Sequence, residues 1–123
     1  MLETILLANH DVSVLAAQKN LLTQNGYKVV GEAGNVEQTV EQFKELRPSL
    51  VIMDFHPVEF DCIKAIKEIQ AIDNDMLIII SSNFCEHSEV VEAAILGVKD
   101  WVFTQLPLHS EMFMLAVKRV LGW

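Results

Sequence analysis

Leu50-Val51-Ile52-Met53-Asp54-Phe55-His56-Pro57 is the stretch on which the fold turns. Four apolar residues run without interruption, two of them β-branched, and a lone carboxylate follows. A half-buried strand alternates apolar and polar residues, whereas an unbroken apolar run reads as a strand covered on both faces. Such strands belong to parallel sheets sandwiched between helices. An acid at the carboxyl end of one sits where open α/β sheets bind ligands and carry out chemistry. Asp54 is therefore the leading candidate for a functional residue, ahead of a simple strand-end cap.

Strand and helix patterns alternate outward from this point. Thr4–Ala8 reads as the first strand. A helix follows from Asp11 to about Asn25, with Val14, Leu15, Leu21 and Leu22 apolar and Val12 and Ala17 helping. Gly26 is placed to cap it, because glycine accepts a left-handed conformation. Residues 28–32 form a second strand. Asn35 opens the next helix with Gln38 three residues on, resembling a capping box, and Val36, Val40, Phe43 and Leu46 make its buried stripe. Pro48 closes that segment. After the third strand, residues 50–54, Asp61 caps a helix whose face is Ile63, Ile66 and Ile69. Residues 76–80 are a fourth buried strand. Ser88 caps a helix through Leu96, ended by Gly97. Residues 101–103 are a short fifth strand, and Ser110 starts a last helix to about Leu121 with Phe113, Leu115, Val117 and Val120 apolar. Met112 and Met114 read as fillers of that helix face.

Five strands strictly alternating with five helices predict a doubly wound α/β sandwich. Right-handed crossovers leave few arrangements, and the flavodoxin-like strand order 2-1-3-4-5 suits this length. In that order the loops after strands one, three and four meet, which brings Asn9, Asp54 and Ser81 together, with Thr104 beside them.

The chain has 123 residues, 51% hydrophobic and 21% charged, which fits one compact domain spanning 1–123. A net charge of −8 argues against a nucleic-acid surface, which needs clustered Lys and Arg. Apolar runs are too short to cross a membrane. Met1-Leu2-Glu3-Thr4 carries no basic region of a signal peptide, so a cytoplasmic location is expected. Cys62 and Cys85 read as reduced packing residues, with no metal-ligand spacing around them.

The stretches ILLANHD, GYKVVGEAGNVEQTVEQFKELRPSLVIMDF, LIIISSN and VVEAAILGVKDWVF span nearly the whole chain. Together they resemble a response-regulator receiver domain. The resemblance implies two-component phosphorelay signalling without enzymatic activity, with a histidine kinase or phosphotransfer protein as partner. It also implies that Asp54 is the phosphoacceptor position, that Ser82 is the hydroxyl residue after strand four, and that Trp101 is the aromatic switch position. Receivers hold Mg²⁺ with two acids after strand one. Those positions are Asn9 and His10 here. The lysine that pairs with the phosphoryl group is replaced by Thr104, and the proline after it by Gln105. The proline usually four residues past the phosphoacceptor is Val58, with Pro57 one place early, and the glycine after Asp61 is Cys62.

Phosphoryl transfer to a carboxylate crowds anionic oxygens together, so catalysis is mostly positioning and cationic stabilisation. Mg²⁺ wants oxygen ligands, and imidazole suits softer metals. Of the implied metal residues Asp54, Asn9 and His10, only one is a carboxylate, and Asp11 is better used as a helix cap. Mg²⁺-dependent phosphorylation is therefore expected to be weak or absent. The alternative is a pseudo-receiver acting as a phosphorylation-independent interaction module. A His10–Asp54 pair that binds a transition metal or responds to pH is a further option. The apolar region around 103–113, on strand five and the last helix, is a candidate face for a partner or a second copy. A cofactor-binding enzyme on this fold is disfavoured, because Asn9-His10-Asp11-Val12 lacks a phosphate-binding loop and no glycine-rich motif occurs.

Overall fold

The computed structural model describes residues 3–83, 87–102 and 109–122. Its elements in chain order are β1 (Thr4–Ala8), α1 (Val12–Gln24), β2 (Lys28–Ala33), α2 (Val36–Leu46), β3 (Leu50–Met53), α3 (Cys62–Ile72), β4 (Leu77–Ser81), α4 (His87–Ile95), β5 (Asp100–Val102) and α5 (Ser110–Leu121). The strands make one parallel sheet in the order β2-β1-β3-β4-β5. This is the flavodoxin-like doubly wound arrangement expected from the strand and helix alternation.

The apolar runs are explained by the two-residue period of a strand. In β1, Leu6 and Ala8 join a core with Phe43 of α2 and Ile63, Ile66 and Ile69 of α3. Ile5 and Leu7 face the other way, toward Leu15 and Leu22 of α1 and Phe113 and Val117 of α5. Central β3 divides likewise, with Val51 and Met53 in the first core and Leu50 and Ile52 in the second. Both faces of the central strands are therefore covered, as the unbroken run Leu50–Met53 requires.

Several boundaries differ from the sequence reading. β3 ends at Met53, and Asp54 lies just beyond it, its backbone N–H still donating to the Ala8 carbonyl at 2.8 Å. β2 runs one residue further, to Ala33, because Ala33 still pairs with Ala8. β4 sits one residue later than expected. β5 begins one residue earlier, since Asp100 pairs with Ile79, and Phe103 lies outside the described residues. Ser88 lies within α4, which already includes His87, and so is not its cap.

The helix faces also differ from their sequence patterns. Leu46 is 38% exposed. It lies over Gly31 on the edge strand, where there is no further strand to cover it. On α5, Phe113 is fully buried rather than part of an exposed apolar face, because it points at the sheet with Val117. Leu115 is 59% exposed and Met112 57%, and both lie on the outer side of that helix. Val12, at the start of α1, is also exposed. The expected caps at Asp11 and Asp61 are present, each carboxylate accepting a backbone N–H of the first turn. Asn35 accepts the Gln38 N–H, while the Gln38 side chain accepts from Gly34, one residue earlier than in a capping box. Gly26 adopts φ 86 just after the Asn25 cap of α1, and Gly97 adopts φ 94 after α4. Cys62 is fully buried, and Cys85 is outside the described residues. Among the described residues no helix is long and apolar enough to cross a membrane.

Candidate functional site

The carboxyl ends of β1, β3 and β4 open onto a cleft of about 180 Å³ lined by Asn9, His10, Asp11, Val14, Asp54, His56 and Asn83. Parallel strands put the chain reversals after β1 and β3 at the same edge, so residues 45 positions apart become neighbours. Asp54 forms the floor, its side chain only 4% exposed. His10 lies over it, and its side chain is 32% exposed. The His10 backbone N–H donates to Asp54 Oδ2 at 3.4 Å. The His10 ring nitrogen Nδ1 is bonded to the same oxygen. An ionised carboxylate only accepts, so Nδ1 carries the hydrogen and donates it. In the neutral ring the lone pair then sits on Nε2.

Asn9 is buried beneath the cleft. Its Oδ1 accepts the Asp11 N–H at 2.9 Å, and its own N–H donates to the Ala33 carbonyl. Asp11 is turned away as the α1 cap, with Oδ1 accepting the Ser13 N–H at 2.8 Å. Among the described residues no group of three His, Cys, Asp or Glu side chains is placed to hold a metal ion.

His56 was not singled out in the sequence, yet it completes the cluster. Its ring lies 4.6 Å from the His10 ring, tilted by 52°. Its Nδ1 accepts the backbone N–H groups of Val58 and Glu59 at 3.2 and 3.0 Å. These bonds close the turn whose ends are bridged by His56 and Phe60. Residues two apart in an extended segment project to the same side, so His56 following Asp54 was a readable signal. Asn83, the second missed residue, stands on the loop after β4.

Ser82 is fully buried, and its hydroxyl donates to the Phe55 carbonyl. Trp101 is half-buried in β5, with its ring edge against Phe55 at 6.1 Å and 60°. Its Nε1 is buried with no hydrogen-bond partner among the described residues. Phe55 therefore links both positions to the segment after Asp54. Thr104 lies outside the described residues.

Residues 5–110 match the response regulator receiver domain family. The chain belongs to that family. As a receiver it is 38% identical over 104 residues to the chemotaxis protein CheY of Bacillus subtilis, covering 85% of each chain. It is 43% identical over 84 residues to CheY of Thermotoga maritima, covering 68% of this chain and 70% of that one. Solved structures share the fold at lower identity. The CheX–CheY–BeF3–Mg²⁺ complex from Borrelia burgdorferi superposes with a TM-score of 0.89 at 19% identity, covering 97% of this receiver and 89% of that chain. A CheY-like receiver from Methanospirillum hungatei gives a TM-score of 0.88 at 16% identity, covering 99% and 95%.

Proposed function

We propose that this receiver serves two-component signalling with Asp54 as its phosphoacceptor position, and that Mg²⁺-dependent phosphorylation of Asp54 is weak or absent. The supporting observation is the His10 side chain, which lies over the buried carboxylate and occupies one of its two oxygens. Mg²⁺ demands near-octahedral oxygen ligation and usually one or two carboxylates. Among the described cleft residues Asp54 is the carboxylate not used as a helix cap, since Asp11 Oδ1 caps α1 and Asn9 Oδ1 already accepts the Asp11 N–H. An imidazole at position 10 suits softer metals. This donor set does not fit Mg²⁺.

Two further groups of the phosphorylation apparatus are compromised. The Ser82 hydroxyl is committed to the Phe55 carbonyl, and Thr104 supplies no cation at the lysine position. Losing one stabilising charge from a phosphoryl-transfer site costs on the order of 10³-fold in rate.

The same His10–Asp54 contact favours a second reading, a pseudo-receiver that binds its partner without phosphorylation. The CheY of the Borrelia complex is bound to CheX, which illustrates a protein partner for this fold. On either reading this receiver acts as a non-enzymatic cytoplasmic module of one domain, 1–123. Its partner is a histidine kinase, a phosphotransfer protein or a constitutive binding protein. Exposed Met112 and Leu115 on α5 are the contact residues we assign to a partner or a second copy near strand five.

Incubation with acetyl phosphate and Mg²⁺, followed by intact mass, tests the proposal. The expected result is no stoichiometric acid-stable, base-labile adduct. Such an adduct, lost in Asp54→Asn, would show an ordinary receiver and overturn it.

A further inference from the structure

We propose that His10 Nε2, not the Asp54 carboxylate, is the phosphoryl-accepting atom of this cleft. The inference rests on the reading above that Asp54 itself reacts poorly. Three observations point to it. First, exposure is inverted: the Asp54 side chain is 4% exposed beneath a His10 side chain that is 32% exposed. A donor entering the cleft meets the imidazole before the carboxylate. Second, Asp54 is bonded to Nδ1 of His10, which fixes the tautomer and leaves the lone pair on Nε2. Among the described residues Nε2 has no hydrogen-bond partner. Third, His56 is held in the opposite tautomer. Its Nδ1 accepts two backbone N–H groups, so its hydrogen resides on Nε2 and it offers no lone pair to the cleft. Of the two neighbouring rings, only His10 is arranged as a nucleophile.

A carboxylate behind an imidazole orients the ring and stabilises the positive charge it develops. That is the need of a histidine attacking phosphorus. The Nε2 lone pair forms the new N–P bond while the N–P bond of the donor breaks. With phosphoramidate the leaving nitrogen departs as ammonia, already carrying its protons. The ring keeps its Nδ1 hydrogen, takes the positive charge, and donates to Asp54 throughout. The N-terminus of α1 borders the cleft through Asp11 and Val14, and its positive end is already met by the Asp11 carboxylate, so the imidazolium charge is balanced by Asp54 alone. The donor class we assign is an N-phosphoryl compound, because the step then exchanges one N–P bond for another and calls on no metal.

The test is phosphoramidate in EDTA, with intact mass, peptide mapping and phosphorus NMR. One phosphoryl group is expected on His10, stable to base and hydroxylamine and labile to acid. Its rate should exceed that at His56, His87 or His109 by at least about tenfold, and urea should abolish this preference. Asp54→Asn, checked by circular dichroism, should slow His10 modification on the order of tenfold or more, because the tautomer is no longer fixed. If that variant does not fold, the wild-type site map and the adduct's lability still decide. An even spread over the histidines, no adduct, or an unaffected rate in folded Asp54→Asn overturns this inference and leaves the proposed function standing. A base-labile adduct on Asp54 overturns the inference; if Mg²⁺ makes it stoichiometric, the proposed function fails as well.

Discussion

His10 sets the chemistry of the cleft because it is an imidazole where an acid would leave oxygens free for a metal. Replacing Asn9 and His10 together by Asp adds two carboxylates beside Asp54 at the cleft. Mg²⁺ titration of the intrinsic tryptophan fluorescence should then show binding at least about tenfold tighter than in the unaltered receiver. Equal affinities in the two proteins would refute the argument from donor chemistry. Ser82 makes a separate point. Its buried hydroxyl satisfies the Phe55 carbonyl, so Ser82→Ala leaves a buried acceptor open. Urea unfolding should register a loss of about 1–3 kcal/mol.

The elements that carry the cleft are held by local devices with measurable worth. The Asn35 side chain accepts the Gln38 N–H at 2.8 Å at the start of α2, so Asn35→Ala should cost about 1 kcal/mol in thermal or urea unfolding. The pairing of β1 with β2 slips between Ile5 and Leu6, from Ile5 opposite Val29 to Leu6 opposite Gly31. The register thereby skips Val30. A Cβ on Gly31 would stand 2.4 Å from Gln42 Oε1 and 2.7 Å from Leu46 Cδ1. The Gln42 side chain also donates to the Glu32 carbonyl at 2.8 Å and so covers part of the sheet edge. Gly31→Ala should displace it and destabilise the receiver by about 1–2 kcal/mol. An unchanged urea midpoint would show that α2 yields freely at its end.

The molecule as a whole is two cores on one sheet, and their independence is testable. Ile66 belongs to the α2–α3 side and Ile79 to the α1–α5 side. Each Ile→Val change should cost about 0.5–1.5 kcal/mol, and the double variant should match the sum within about 0.5 kcal/mol. A larger deviation would mean that the sheet transmits strain between its faces. Alkaline stability is set partly by Tyr27. Burial, and then the nearby Glu3 charge, raises its phenol above the ordinary 10.0. The folded state therefore favours the neutral phenol. Its contribution is complete below pH 10.0 and is lost as pH rises through the raised folded value. Thermal unfolding against pH should fall in that alkaline range, and Tyr27→Phe should flatten the fall.

Much of this was legible in the chain. The run Leu50–Met53 requires a strand covered on both faces, and the alternation around it leads to the parallel order with Asp54 at the switch point. The acids missing at Asn9 and His10 were legible too, because side-chain chemistry is independent of conformation. Element ends were less so: β5 begins at Asp100 because its neighbour Ile79 is there to pair, which no local propensity records. The exposure of Leu46 depended on where the sheet stops, and that of Leu115 on which side of α5 faces the sheet. Tertiary structure alone decided that His10 lies over Asp54 and that the tilted His56 ring sits against His10. The His10–Asp54 contact joins loops 44 residues apart, and its geometry follows from strand register and turn closure rather than from any neighbouring residue.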